Sequence, residues 1–273
     1  MSLHGKRAVV TGANGTFGRL LCARLETAGA RIVGLDLHAG TVGTTPVLAC
    51  DLTDGDAVPD AVAQAVATLG GLDLLVNNAG VGGPAPAELA PGDAARRQLD
   101  VNLLAAWHVT AAAVPALEAA RGRIVFVSSR MALLPLPLAA AYGVSKRALV
   151  AYADALRLEV GSHIGVSVVY PSMVASPIHD ATASAGLSLQ GVSRYEPVEG
   201  VVDAIIRAAT ARTAPRDVAT TGRGRFELFL ARHLPSLAAA VVRRTIRERI
   251  AAGDLDGAPL AAGMLRRAGR SSP

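Results

Sequence analysis

The sequence predicts an α/β protein: one doubly wound parallel sheet with helices on both faces, followed by a basic helical C-terminal extension. Three observations predict it. Short apolar runs alternate with segments of helical period, a glycine-rich turn joins the first run to the first helical segment, and no linker or internal repeat divides residues 1–206. At 273 residues the chain can bury a sizeable core. It is 51% hydrophobic but only 3% aromatic, so Ala, Val and Leu must fill that core.

The elements follow in order. "RAVV" (Arg7–Val10) leads through "TGANGTFG" (Thr11–Gly18) into a helix, where Leu20, Leu21, Ala23, Leu25 and Ala28 recur at helical spacing. "RIVGLDL" (Arg31–Leu37) is the second strand. Further apolar runs stand at "PVLAC", "LDLLVNNAG", "GRIVFVSS" and "GVSVVYPS", separated by helical patterns around 55–69, 93–119 and 141–160. Strands alternating with helices make parallel βαβ units, and continuously apolar strands mean a sheet covered on both faces. Right-handed crossovers then give the doubly wound order. Residues 177–197 are polar and Gly- and Ser-rich; they follow a strand end, where ligand-binding loops sit in such sheets.

Several functional classes drop out. The start, "MSLHGKRAVVTG", lacks the apolar stretch and cleavage site of a signal peptide, and no apolar run approaches the roughly 20 residues that span a bilayer. Cys22 and Cys50 give no disulfide framework, and His38, His108, His163, His179 and His233 show no metal spacing with carboxylates. We therefore expect a cytoplasmic protein without a metal. The net charge of +5 is uneven: residues 1–206 carry 14 Lys+Arg against 17 Asp+Glu, residues 207–273 carry 13 Arg against 5 Asp+Glu. That basic tail has no aromatic stacking platform or recognisable binding module, which argues against a nucleic-acid partner.

"TGANGTFG" lies directly after a strand and opens a helix, the context that gives a glycine motif meaning. Gly12 permits the tight turn, small residues let backbone amides approach a pyrophosphate, and the helix N-terminus adds donors and a positive dipole. This is the phosphate turn of a Rossmann-type sheet. Asp36 closes the second strand 18 residues after Gly18, where a carboxylate accepts hydrogen bonds from an adenosine ribose. A 2′-phosphate there would meet an unpaired carboxylate, so NAD is preferred over NADP.

Of 27 basic residues only Lys6 and Lys146 are lysines, so the lysine of "AAAYGVSKRAL" (Ala139–Leu149) is informative. On a helix Tyr142 and Lys146 lie one turn apart on one face. An ammonium beside a phenol favours the phenolate and lowers the tyrosine pKa from about 10. Such a tyrosine can exchange a proton with an alcohol or carbonyl oxygen. Ser129 stands 13 residues earlier, at the end of "IVFVSS", able to hydrogen-bond a reacting oxygen. Asn102, in "LDVNLLAAW", is a polar residue inside an amphipathic helix, where it serves hydration or backbone geometry.

Together these motifs resemble the short-chain dehydrogenases/reductases, in the compact single-domain branch. The resemblance rests on "TGANGTFG", Asp36, "CDLTD" with Asp51, "NNAG" (Asn77–Gly80), Asn102, Ser129, "YGVSK" (Tyr142–Lys146) and "PSMVAS" (Pro171–Ser176), in order across residues 5–206. It implies a Rossmann-type oxidoreductase that moves a hydride between NAD(H) and a secondary alcohol or ketone, a lipophilic one by analogy. It implies Tyr142 as acid/base, Ser129 polarising the substrate oxygen, Lys146 on the nicotinamide ribose, and Asn102 holding a water in a relay with Lys146. Around the cofactor it implies the turn residues Gly12, Asn14, Gly15, Thr16, Phe17 and Gly18, then Asp36, with Asp51 and Leu52 at the adenine. It adds Asn78, Ala79 and Gly80 at the ribose, and Pro171, Val174 and Ser176 at the nicotinamide. A homo-oligomer follows from the same resemblance.

Two departures stand out. Thr16 occupies the middle glycine position of T-G-x-x-x-G-x-G, and Ser172 and Ser176 stand where Gly and Thr are usual. The actual glycines fit the G-x-x-G-x-x-G spacing of sugar-nucleotide epimerases and dehydratases, an alternative that the missing large C-terminal substrate domain disfavours. A non-catalytic dinucleotide sensor on the same fold is the other alternative; it would not need Ser129, Tyr142, Lys146 and Asn102 together.

The chain divides into residues 1–222, carrying the cofactor and catalytic groups with a substrate loop at 177–197, and an extension over 223–273. In the extension Phe226, Leu230, Leu234, Leu237 and Val241 share one stripe, with Arg225, Arg232 and Arg243 roughly opposite, and Pro235 splits the segment into two helices. The stripe is expected to pack on the domain or a partner subunit, and less readily on an anionic membrane or lipid. His179 and Tyr195 are expected at the substrate site, and Trp107 in the core or an interface.

Overall fold

The computed structural model describes residues 2–185 and 195–269. Its strands are β1 (Arg7–Thr11), β2 (Arg31–Asp36), β3 (Gly40–Val42), β4 (Thr45–Ala49), β5 (Leu74–Asn77), β6 (Arg123–Val127), β7 (Gly165–Tyr170) and β8 (Asp217–Ala219). They form one sheet in the order β3-β4-β2-β1-β5-β6-β7-β8. Every pairing is parallel except β3 with β4, a hairpin on the outer edge. That three-residue edge strand carries too short a pattern to be read in the sequence. Its turn is set by Gly43 at φ +61° and by Glu26, whose carboxylate accepts from the Thr44 amide and both the Thr44 and Thr45 hydroxyls.

Helices α1 (Thr16–Thr27) and α7 (Val198–Thr210) cover one face, burying Leu21, Leu25, Val201 and Ile205 against Val10, Ile32 and Val125. On the other face α2 (Val58–Leu69), α4 (Ala105–Ala120) and α5 (Ala140–Val160) bury Val62, Val109, Leu117 and Leu149 against Val9, Leu75 and Phe126. This is the doubly wound sheet the alternation of runs predicts. The sheet reverses direction of travel between β1 and β5, and the carboxyl ends of the strands on either side open a crevice there.

The 93–119 pattern forms a continuous helix of 28 residues, Asp93–Ala120: α3 (Asp93–Leu99), a π-turn over Asp100–Leu104, and α4. By length and composition it is long and apolar enough to cross a bilayer, although no unbroken apolar run announces it. Here it packs along α2 and the sheet. Trp107, half exposed on α4, stacks on Tyr152 of α5 at 4.4 Å.

Beyond α6 (Asp180–Ser184) and β8, the extension folds as α8 (Gly222–His233), α9 (Pro235–Ala252) and α10 (Ala262–Arg267). Pro235 starts α9 and breaks the helix at Leu234, as its missing N–H requires. The apolar stripe, however, does not face the body. Phe226, Leu234, Leu237 and Val241 are each at least half exposed and Leu230 is half-buried, whereas Leu228 and Ala238 are the buried apolar side chains of these two helices. Ion pairs tie α8 to the body. Arg232 turns inward to Asp217 at 2.8 Å, which also accepts from the Tyr170 hydroxyl at 2.6 Å, and Glu227 pairs with Arg130. A separate apolar cluster joins Leu138 to Leu255, Ala258, Ala261 and Leu265, so the end of the extension folds back onto the loop before α5.

Candidate active site

The crevice is built from the glycine turn upward. Gly12 leaves β1 at φ +65°, and a Cβ there would lie 2.9 Å from Ala79 Cα. A Cβ at Gly18 would overlap the Gly12 carbonyl oxygen, so only glycine lets α1 start this close to the strand. Thr16 is the first residue of α1 with its side chain exposed, a position that tolerates one; the departure from the usual glycine therefore leaves the turn intact. No side chain caps α1 and no acidic residue lies in its first turn, which leaves the helix N-terminus ready for an anion.

Beside it, Asp36 accepts from the Asn14 amide at 2.9 Å and the Leu37 amide at 2.8 Å, which fixes its carboxylate at the end of β2. "NNAG" ties β5 to the turn. Asn78 Nδ2 donates to the Thr11 and Gly12 carbonyls, and Thr11 Oγ1 accepts from the Asn78 and Ala79 amides, each at 3.0 Å. These residues fit a dinucleotide: a glycine-lined approach, an uncapped helix start for the pyrophosphate, and a carboxylate at ribose distance along the second strand.

Ser129 lies just past β6, and its hydroxyl accepts from the Met131 amide at 3.2 Å and meets the Tyr142 phenol. Tyr142 and Lys146 are one turn apart on α5, with Lys146 Nζ 5.9 Å from the centre of the Tyr142 ring. Nζ donates to the Val127 carbonyl at 3.0 Å, and the Ser128 hydroxyl donates to the Lys146 carbonyl. Asn102 sits in the π-turn, fully buried. Its Oδ1 accepts from the Val81 amide at 2.8 Å, and Nδ2 donates to the Val81 carbonyl and to Ser145 Oγ, both at 2.9 Å. Ser145 in turn donates to the Tyr142 carbonyl, so Asn102 braces the first turns of α5.

The electrostatics differ from the expectation that Lys146 lowers the Tyr142 pKa. Burial raises the phenol above its ordinary value, opposed only by the Ser129 hydrogen bond, and burial drives the Lys146 ammonium down from 10.5 to about 8. Both groups are dominated by desolvation because Nζ lies over the ring and is held by a backbone carbonyl rather than by the phenol oxygen.

One open cleft gathers most of the expected residues. Gly12, Asn14, Gly15, Thr16, Phe17, Asp36, Asp51, Leu52, Asn78, Ala79 and Gly80 line its adenosine half. Ser129, Tyr142, Lys146, Pro171, Val174 and Ser176 line the other. Gly18 and Asn102 stand behind the wall. Along Gly82, Tyr142, Ile178 and His179 the cleft meets a second, smaller one, lined also by Met131 and Leu136 and by Ile246, Arg249, Leu255 and Met264 of the extension. His179 is thus at the site, with burial favouring its neutral form. Tyr195 is not; it pairs with Met173 as an isolated bridge and is exposed. Residues 186–194 of the expected substrate loop lie outside the described residues.

Sequence reasoning missed three things. Ser145 is hidden inside the "YGVSK" motif as an apparent filler residue. The Arg130–Glu227 pair, which also engages Ser172 through Arg130, needs contact across 97 residues. The extension's part in the second cleft has no local signal at all.

A Rossmann-type crevice fitted to a dinucleotide, with a serine, a tyrosine and a lysine on its inner wall, defines a nicotinamide-dependent oxidoreductase. The chain belongs to the short chain dehydrogenase family, whose pattern matches residues 6–185. It is 38% identical over 194 residues to 1-deoxy-11-beta-hydroxypentalenate dehydrogenase of Streptomyces avermitilis, covering 65% of this chain and 72% of that protein. It is 32% identical over 166 residues to 3-ketodihydrosphingosine reductase of Bacteroides thetaiotaomicron, where the match spans 60% of this chain and only 62% of the relative's length. A short chain dehydrogenase from Burkholderia cenocepacia, solved in complex with NADP, superposes with a TM-score of 0.76 at 25% identity, covering 89% of this chain and 99% of that one. Other solved neighbours carry NAD or NADH.

Proposed function

We propose that the protein interconverts a secondary alcohol and its ketone, with NAD(H) preferred over NADP(H) and Tyr142 as the acid/base. The observation that carries this reading is the position of Tyr142 on the wall shared by the dinucleotide cleft and the apolar cleft, with Ser129 beside its hydroxyl. Two relatives are named for a keto group reduced and a hydroxy group dehydrogenated, which supports the same bond change.

The bound dinucleotide supplies the hydride acceptor for oxidation and the hydride donor for reduction. Ser129 donates a hydrogen bond to the substrate oxygen and orients it toward Tyr142. In reduction the Tyr142 phenol gives its proton to the carbonyl oxygen as the carbon receives the hydride; in oxidation the Tyr142 phenolate takes the hydroxyl proton as the carbon gives up its hydride. Lys146 carries positive charge on the cofactor side of the phenol, and Asn102 holds the α5 backbone that presents both. Asp36 accepts from ribose hydroxyls and would repel a 2′-phosphate, the basis of the NAD preference. The apolar second cleft favours a lipophilic substrate.

Tyr142→Phe tests the assignment. Turnover is expected to fall at least a thousandfold while NADH binding, followed by its fluorescence, stays within twofold of wild type. A variant that still turns over would remove Tyr142 from the chemistry.

A further inference from the structure

We propose that the outward face of α8 and α9 docks on an anionic lipid bilayer, with Phe226, Phe229, Leu234, Leu237 and Val241 entering the headgroup boundary and Arg225, Arg243 and Arg247 meeting lipid phosphates. None of these residues lines either cleft, so the inference stands without the assignment of Tyr142.

Apolar exposure in this chain is concentrated on that face. Among the described residues twelve large apolar side chains are exposed, and five of them fall in the sixteen residues from Phe226 to Val241. Each of the five is 50–64% exposed, and they recur every three to five residues through α8, the break at Leu234 and α9. The chain has only four phenylalanines: Phe17 and Phe126 pack into the two cores, and the other two stand here in solvent. Single apolar side chains on a surface need no explanation, but a run of this density marks a contact. The exposure is not that of a loose segment. Leu228 packs into the core, and Arg232 and Glu227 of α8 pair with Asp217 and Arg130.

Charge identifies the occupant. Residues 222–252 carry seven Arg against two Glu, and both carboxylates are engaged, Glu227 by Arg130 and Arg223 and Glu248 by Arg244. Arg225, Arg243 and Arg247 are exposed and have no ion pair among the described residues. Exposed Phe, Leu and Val beside cations that lack carboxylate partners match a surface that is hydrocarbon beneath and anionic on top. A second copy laid on the same face would set Arg225, Arg243 and Arg247 against their own counterparts, a repulsive arrangement that anionic lipid reverses.

The test is co-sedimentation of the full chain with vesicles of phosphatidylcholine alone or with about 30 mol % phosphatidylglycerol. Wild type is expected to bind the anionic vesicles at least tenfold more tightly than the neutral ones. Combining Phe226→Ser, Phe229→Ser and Leu237→Ser is expected to weaken anionic binding at least tenfold. Combining Arg225→Gln, Arg243→Gln and Arg247→Gln is expected to erase the preference for anionic lipid. All six positions are exposed, so NADH affinity by fluorescence titration should stay within twofold of wild type in both variants. Wild type left in the supernatant by both vesicles, or bound equally by both, would overturn the proposal without recourse to any variant. Undiminished anionic binding by the triple Ser variant would also overturn it, as the adsorption of any basic protein. A wild-type oligomer in sedimentation equilibrium that the Ser variant splits, with no vesicle binding, would give the face to a second copy instead.

Discussion

Replacing Lys146 by Met should make the protein more stable and catalytically dead. Lys146 is 3% exposed, and burial lowers its ammonium from 10.5 to about 8. At 1.36 kcal/mol per unit, holding that charge in the folded chain costs about 3 kcal/mol at neutral pH. The methionine side chain fills a similar volume but leaves the Val127 carbonyl without the 3.0 Å bond from Nζ, a loss of about 1–2 kcal/mol. The net gain is about 1–2 kcal/mol at pH 7, or roughly 2–6 °C in Tm for a chain of this size.

The pH dependence separates this account from a mere packing gain. Between pH 8 and 10.5 the unfolded chain keeps the Lys146 proton while the folded chain has lost it, so this group makes stability rise with pH across that window. Below pH 8 both states carry the proton and the full penalty applies. The advantage of Lys146→Met, measured by urea unfolding without added dinucleotide from pH 6.5 to 10, should therefore be largest below pH 8 and shrink toward pH 10. The comparison must be variant against wild type, because the raised folded-state pKa of Tyr142, and of Tyr152 at about 12, makes stability fall at still higher pH in both proteins. A variant that is less stable than wild type, or whose advantage is flat with pH, would refute a desolvated ammonium.

Asp36→Ser should raise the ratio of NADP to NAD efficiency by at least tenfold, about 1.4 kcal/mol, as measured by kcat/KM with each dinucleotide; an unmoved ratio would remove Asp36 from cofactor choice. Gly18→Ala should weaken NADH binding at least a hundredfold by fluorescence titration, because its Cβ meets the Gly12 carbonyl; wild-type affinity would mean that the start of α1 can shift freely.

The part of the site that is legible in the sequence is the part built from local geometry. Gly12, Asp36, Ser129 and the Tyr142–Lys146 pair each sit at a strand end or one helical turn apart, so strand-turn-helix logic alone brings them to one crevice. Their electrostatics were less legible. Spacing places an ammonium one turn from a phenol, but it does not reveal that Val127 captures Nζ or that burial outweighs mutual attraction for both groups. Thr16 looked like a defect in the glycine turn and is an ordinary first helical residue. The β3 strand was invisible because three residues carry no usable period.

The extension shows what periodicity leaves open. Its two helices and the break at Pro235 follow from the sequence, yet the stripe of Phe226, Leu234, Leu237 and Val241 faces outward. An apolar stripe faces a core only when nothing stronger sets the rotation of the helix. Here Arg232 reaches Asp217, and Arg130 holds Glu227, two pairs with side chains at most 27% exposed on either side. Those two pairs tie α8 to β8 and to the segment after β6. Beyond the break at Leu234, Ile246 and Arg249 of α9 line the cleft beside Tyr142. The candidate catalytic groups are brought together by short-range spacing, whereas the extension that walls the second cleft is tied down by pairs between residues far apart in the chain, Arg130 with Glu227 and Glu88 with Arg267.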